Sequence, residues 1–148
     1  MAEKRIDDLR EILSKAAARD RDLQHELEAL GGDVLKDLGF GDEPPVWAEL
    51  KAAERERQVS PHFIMEDRWL RGDLTFAVTA DQTFVVGLVI RETASHTHEV
   101  GLHLARSRTT LIDPPDPKDR AAARKKLFGD IFASLEVQVR TRVALPAA

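Results

Sequence analysis

Eight residues near the start of the chain, Ile6, Leu9, Leu13, Ala16, Asp20, Leu23, Leu27 and Leu30, follow one another at alternating intervals of three and four. Residues spaced in this way occupy the a and d places of a heptad and line one side of an α-helix. A helix docked on a globular body usually shows a broader apolar stripe, and only Ile12 and Ala17 widen this one. The narrow seam predicts helix against helix, between two chains in preference to within one. Asp20 is its polar exception, and a lone polar group in a seam restricts register or oligomer number at some loss of stability. Gly31 and Gly32 are expected to end the helix, because glycine enters the left-handed C-terminal cap without steric penalty.

The rest of the chain changes character in steps. Asp33 reads as the cap of a short helical turn with Val34, Leu35 and Leu38. "DEPPVWAELKAAERERQ" reads as a second helix, its prolines in the first turn and Val46, Trp47, Leu50 and Ala53 on one face. From His62 the apolar period becomes two. Phe63, Met65 and Trp69 form one strand and Leu74, Phe76, Val78 and Ala80 the next, with Arg71-Gly72 as the expected turn. "TFVVGLVIRE" is apolar at nearly every position, as a central strand is, with Gly87 at a close approach or bulge. Val100, Leu102 and Leu104 mark a fourth strand. Asp116 and Pro117 open a helix to about residue 134 with the stripe Ala121, Phe128, Ile131, Phe132 and Leu135. "LEVQVRTRV" alternates as an edge strand over 135–144.

Helices before and after a run of consecutive strands predict an α+β fold with a mostly antiparallel sheet of about five strands and a C-terminal helix packed on it. A length of 148 residues suits one such domain, 33–148, preceded by the oligomerisation helix 1–32. The chain has no cysteine, which excludes disulfides, thiolate nucleophiles and zinc ribbons. "MAEKRIDDLREIL" is charged where a signal peptide needs an apolar run, and no segment has the length of a membrane span. A soluble, cytoplasmic protein without a membrane partner is expected.

Chemistry has few candidates. Three of the five histidines fall in "SHTHEVGLH", and His96 and His98, two apart, suit one side of a strand and a shared cation, with Glu99, His103 or His62 as a third ligand. In a regular strand, however, Glu99 and His103 face away from His98. "HTHE" resembles the first half of a cupin metal motif on His96, His98 and Glu99, but its glutamate follows directly and the downstream half is missing. No nucleophile elbow and no phosphate loop is present.

The net charge of −4 conceals a gradient, fifteen acidic against ten basic side chains up to Ser60 and nine basic against five acidic from Ala105. Arg106, Arg108, Lys118, Arg124, Lys125, Arg140 and Arg142 form a candidate patch for an anionic partner, an acidic protein in preference to nucleic acid, since stacking aromatics are lacking.

The reading that follows is a non-enzymatic adaptor or chaperone-like protein, without cofactor, that dimerises through its first helix and binds another protein through its sheet domain. Its architecture is similar to that of type III secretion chaperones, a similarity that covers no motif. The alternatives are a small metal enzyme using His96 and His98, and anion or nucleic-acid binding by the basic end.

Overall fold

The computed structural model describes residues 2–49, 57–104 and 108–143. Helix α1 spans Ala2–Asp37. Seven strands follow: β1 Val46–Trp47, β2 Arg57–Ser60, β3 Phe63–Glu66, β4 Trp69–Thr79, β5 Gln82–Glu92, β6 His98–His103 and β7 Arg108–Ile112. Helix α2, Pro117–Val143, ends the order. All pairings are antiparallel, in the order β2-β3-β4-β5-β6-β7, with β1 also paired to β4. The α+β class is as the sequence predicts.

Register decides which side chains meet. Leu70 stands opposite Ile90, Leu74 opposite Val86 and Phe76 opposite Phe84, while Leu88 faces Leu102 and Ile90 faces Val100. These residues share one sheet face, and both helices cover it. Leu23, Leu27, Leu30 and Val34 of α1 and Leu127, Ile131 and Leu135 of α2 join the same buried cluster. Buried Arg124 ties the layers, donating to both carboxylate oxygens of buried Asp113 and, at 3.2 Å, to Asp33 of α1. A bidentate arginine pair of this kind satisfies a buried charge that would otherwise be very unfavourable.

Several local expectations fail for identifiable reasons. Gly31 and Gly32 lie inside α1, so the helix does not stop at 32 and absorbs the turn expected from Asp33. The left-handed glycines are Gly39 and Gly41, with φ of 91° and 71°. Gly31 serves packing, because a Cβ there would stand 2.9 Å from the indole of Trp47. That indole also packs on Phe63, ring centroids 4.9 Å apart. Val46 and Trp47 are therefore a strand and not the first turn of a helix, and Leu50 and Ala53 lie outside the described residues.

Arg71 and Gly72 are mid-strand in β4. The hairpin turns at Asp67 and Arg68, whose φ values of 50° and 70° belong to a two-residue turn of the primed type. Gly72 lies under the Phe63 ring, where a Cβ would come within 2.8 Å.

Residues 135–143 are helix and not an edge strand. The alternation of Leu135, Val137 and Val139 concealed a four-residue step, Leu127, Ile131, Leu135 and Val139, that faces the core, while Val137 is 64% exposed. The helix covers a stretch of β5 to which no β6 residue is paired: Gln138 donates to the Val85 carbonyl and Arg142 to the Thr83 carbonyl. The expected cap of α2 is present, with the Lys118 N–H donating to Asp116 Oδ1 at 2.9 Å. Of its expected stripe, Ile131 and Leu135 are buried, Phe128 is half-buried, and Ala121 and Phe132 are exposed. Strands β2 and β7 are not among those the sequence predicts, and Arg57 and Gln58 of β2, at the end of the stretch read as a second helix, pair with Met65 and Ile64 instead. No helix among the described residues is long and apolar enough to cross a membrane.

Two glycine substitutions separate close packing from helix propensity. Gly101→Ala places a Cβ against the Thr109 carbonyl oxygen and 2.6 Å from the Thr110 methyl group, inside a paired strand. It should destabilise by about 3 kcal/mol. Gly129→Ala, in α2 with nothing within 4 Å of the added carbon, should stabilise by about 0.5–1 kcal/mol. Urea denaturation of both variants measures the two changes.

Candidate functional site

Helix α1 lies on the sheet only along its second half. Leu23, Leu27 and Leu30 are buried in the chain's own core, whereas Ile6, Leu9, Ile12 and Leu13 are 48–69% exposed and Ala16 is exposed. The seam thus divides at Asp20, which marks where the helix leaves the body. Asp20 is buried and accepts a hydrogen bond from Arg57 Nη1 at 2.6 Å. That bond holds the Arg57 guanidinium above its ordinary pKa.

At this junction a cleft of about 630 Å³ opens between α1 and two turns of the sheet, the β3–β4 turn and the β5–β6 turn. Arg19, Asp20, Arg57, Arg68, Glu92 and His96 supply its charges. His96 Nδ1 lies 3.1 Å from Glu92 Oε1, and Arg19 Nε lies 3.8 Å from Glu92 Oε2. The hydrogen bond from His96 lowers the Glu92 pKa, and the positive charge of Arg19 adds to this. The β5–β6 turn is held by Thr93 N–H to the Thr97 carbonyl and His96 N–H to the Thr93 carbonyl.

The opposite face of the sheet carries a second charged cluster, also unforeseen. Glu66 bridges Arg71 at 3.1 Å and Arg108 at 3.2 Å, and Arg91 pairs with Glu99 at 2.6 Å. Trp69 is buried between Arg91 and Arg108, whose guanidinium carbons stand 4.5 and 5.7 Å from its ring centroid. Gly87 lies between Asp73 and His103 on the neighbouring strands, and a Cβ there would lie 3.1 Å from Asp73 Oδ1 and 3.2 Å from His103 Cβ. His103 Nδ1, Arg71 Nε and Arg108 Nε are buried without hydrogen-bond partners among the described residues. Burial, then the positive charges of Arg71 and Arg108, push the His103 pKa down, against Glu66 and Asp73.

The residues singled out from the sequence are only partly gathered. His96 sits in the turn with φ of 61° and His98 at the start of β6 opposite Glu92. Glu99 is taken up by Arg91 and Thr110, His62 lies 3.3 Å from the Ala48 carbonyl, and His103 stands on the far face. Among the described residues no three His, Asp or Glu side chains form a group able to hold a metal ion.

The basic residues are dispersed. Arg108 lies on the face away from α2, Arg124 is buried between Asp113 and Asp33, and Lys118 and Lys125 are exposed on α2. Arg140 pairs with Glu136, and Arg142 lies over the Phe84 ring. Arg106 lies outside the described residues.

Sequence reasoning missed Arg19, Arg57 and Arg68. The legible signal was "EDRW", charged turn residues between two apolar strand ends. No protein-family model, curated protein or solved structure matches this chain.

A depressed His103 pKa has a definite consequence for stability. Below the ordinary value of 6.5 the unfolded chain takes up a proton before the folded one does. The stability that neutral His103 supports is therefore complete above 6.5 and is lost as pH falls through the folded-state value. The imidazole resonances of His103 should titrate with a midpoint below 6.5 by NMR. His103→Gln should lose less stability than the parent protein between about pH 7 and about pH 5 in denaturant titrations.

Proposed function

We propose that the protein is a self-pairing interaction protein, two copies joining through the outer half of α1 and together presenting two sheet domains to another protein. The observation that carries this reading is the exposed seam of Ile6, Leu9, Ile12 and Leu13 on a helix already anchored at its other end. An isolated helix of this length is marginal in water. Here the docked half, from Asp20 to Asp37, nucleates the rest, and exposed pairs such as Glu11–Lys15 at 3.1 Å add a little more. The ordering cost that usually opposes coiled-coil formation is thereby reduced.

Residues 2–19 extend about 27 Å at the rise of an α-helix. Fully burying a side chain such as Leu9 or Leu13 contributes roughly 1.5–3 kcal/mol, and two chains contribute twice over. The inner leucines are unavailable for pairing, so the interface proposed is Ile6, Leu9, Ile12, Leu13 and Ala16.

Two linked sheet domains convert a weak single contact into a two-site one. For that partner the sheet domain offers an apolar groove of about 430 Å³ lined by Leu38, Phe40, Val78, Phe132, Leu135 and Val139, with Phe132 55% exposed. An apolar protein segment is its matching occupant, in the manner of an adaptor or chaperone.

Sedimentation equilibrium tests the pairing. The intact chain should be a dimer at micromolar concentration, and Leu9→Asp/Leu13→Asp should be a monomer with unchanged thermal unfolding of the body. Removal of residues 1–19 should do the same, whereas a longer deletion would strip Leu23 from the core. A monomeric intact chain would overturn the reading.

A further inference from the structure

Three non-glycine residues have positive φ among the described residues: Asp67, Arg68 and His96. All three lie in the two sheet turns that flank the cleft beside α1, and Arg68 and His96 line it. Left-handed backbone costs an ordinary L-residue roughly 1–2 kcal/mol that glycine does not incur. The second place of a primed two-residue turn is characteristically glycine, yet here it holds an arginine. Strain of this kind, kept at two turns on one cleft, points from geometry to use.

The charges around the cleft are unequal. Arg57 is committed to Asp20 at 2.6 Å, while Glu92 is divided between His96 at 3.1 Å and Arg19 at 3.8 Å. Arg68 forms no ion pair with any described residue and its side chain borders the cleft. Three guanidinium groups and an imidazole thus face two carboxylates, a surplus of positive charge at a concave site. Ala16, Leu23 and Met65 give the same cleft an apolar wall, and its volume is that of ordinary small-molecule sites.

We infer that this cleft binds a phosphate monoester of small-molecule size, its phosphoryl oxygens held by Arg68 and Arg19 with His96, and its organic part against Leu23 and Met65. A monoester offers three phosphoryl oxygens and about −1.5 to −2 charges near neutral pH, so it can engage Arg68 and Arg19 together and is drawn more strongly than a carboxylate to a cleft whose three guanidinium groups outnumber its two carboxylates by one. The planar guanidinium fork of Arg68 meets two phosphoryl oxygens at once, and Arg19, held only loosely by Glu92, can turn to a third. Arg68, Arg19, His96, Leu23 and Met65, which hold the ligand, lie outside the interface proposed for α1, and Ala16 alone borders both surfaces.

The test uses the full-length ¹⁵N-labelled chain at low salt, titrated with phenyl phosphate, inorganic phosphate and benzoate. Phenyl phosphate should give saturable amide shifts at Arg68, Thr93 and His96. Inorganic phosphate should bind at the same amides more weakly, as it lacks the apolar part, and benzoate at least about tenfold more weakly than phenyl phosphate for want of the second charge. Equal binding of the two phosphates would reduce the site to one for free phosphate and overturn the ester reading.

Arg68→Gly and His96→Gly make the decisive comparison, because each relieves backbone strain. Both should raise or preserve the thermal midpoint, while Arg68→Gly weakens phenyl phosphate binding about tenfold or more. Unaltered affinity in Arg68→Gly, shifts elsewhere on the surface, or no saturable shift at all would overturn the assignment. So would a fall in the midpoint of Arg68→Gly, which would show that the arginine is kept for the fold.

Discussion

The fold depends on a sheet with one apolar face and too few residues elsewhere to cover it except by two helices lying side by side. Phe76, Phe84, Leu88, Ile90, Val100 and Leu102 are brought together by strand register, and each is nearly or fully buried. Neither helix covers this face alone: α1 meets β4 and β5, and α2 meets β5, β6 and β7. Between the helices, the buried pair of Arg124 with Asp113 and its further bond to the exposed carboxylate of Asp33 tie α2 to α1 and to the end of β7. Such pairs add specificity of arrangement more readily than net stability.

Because α1 is longer than the face it covers, its outer half is exposed, Ile6, Leu9, Ile12 and Leu13 included. Asp20 sits at that boundary, and its bond to Arg57 ends the apolar contact between helix and sheet. Outward of it the helix offers leucines to solvent, and beside it the turns of the sheet form a charged cleft. A seam that reads as a continuous heptad is thus two surfaces with different destinations, one packed on the sheet and one exposed.

The opposite sheet face shows how charge can occupy a β-surface without an apolar cover. Trp69, Ile64 and Val89 are buried there although neither α1 nor α2 lies over them, and arginine side chains extend across the sheet to pair with Glu66 and Glu99. The apolar stems of those arginines do the covering while their guanidinium groups find carboxylates. Glycines at 87 and 101 keep this layer thin enough for His103 and Thr110 to lie close to the strands.

By itself the sequence determined the class of fold, the extent of β5, the start of α2 at its Asp116 cap and the period of α1, because each follows from local spacing or local hydrogen bonding. It did not determine where α1 ends, since Gly31 is retained for the Trp47 indole, a contact between residues that the chain brings together only on folding. It misread 135–143 for the same reason: an alternation compatible with strand or helix was resolved by the core beneath Leu135 and Val139. Nor did it locate the cleft, whose Arg19, Arg57, Arg68 and His96 come from a helix, a strand and two turns. Only tertiary structure sets them side by side, through a register that depends on packing across the whole sheet and not on any one segment.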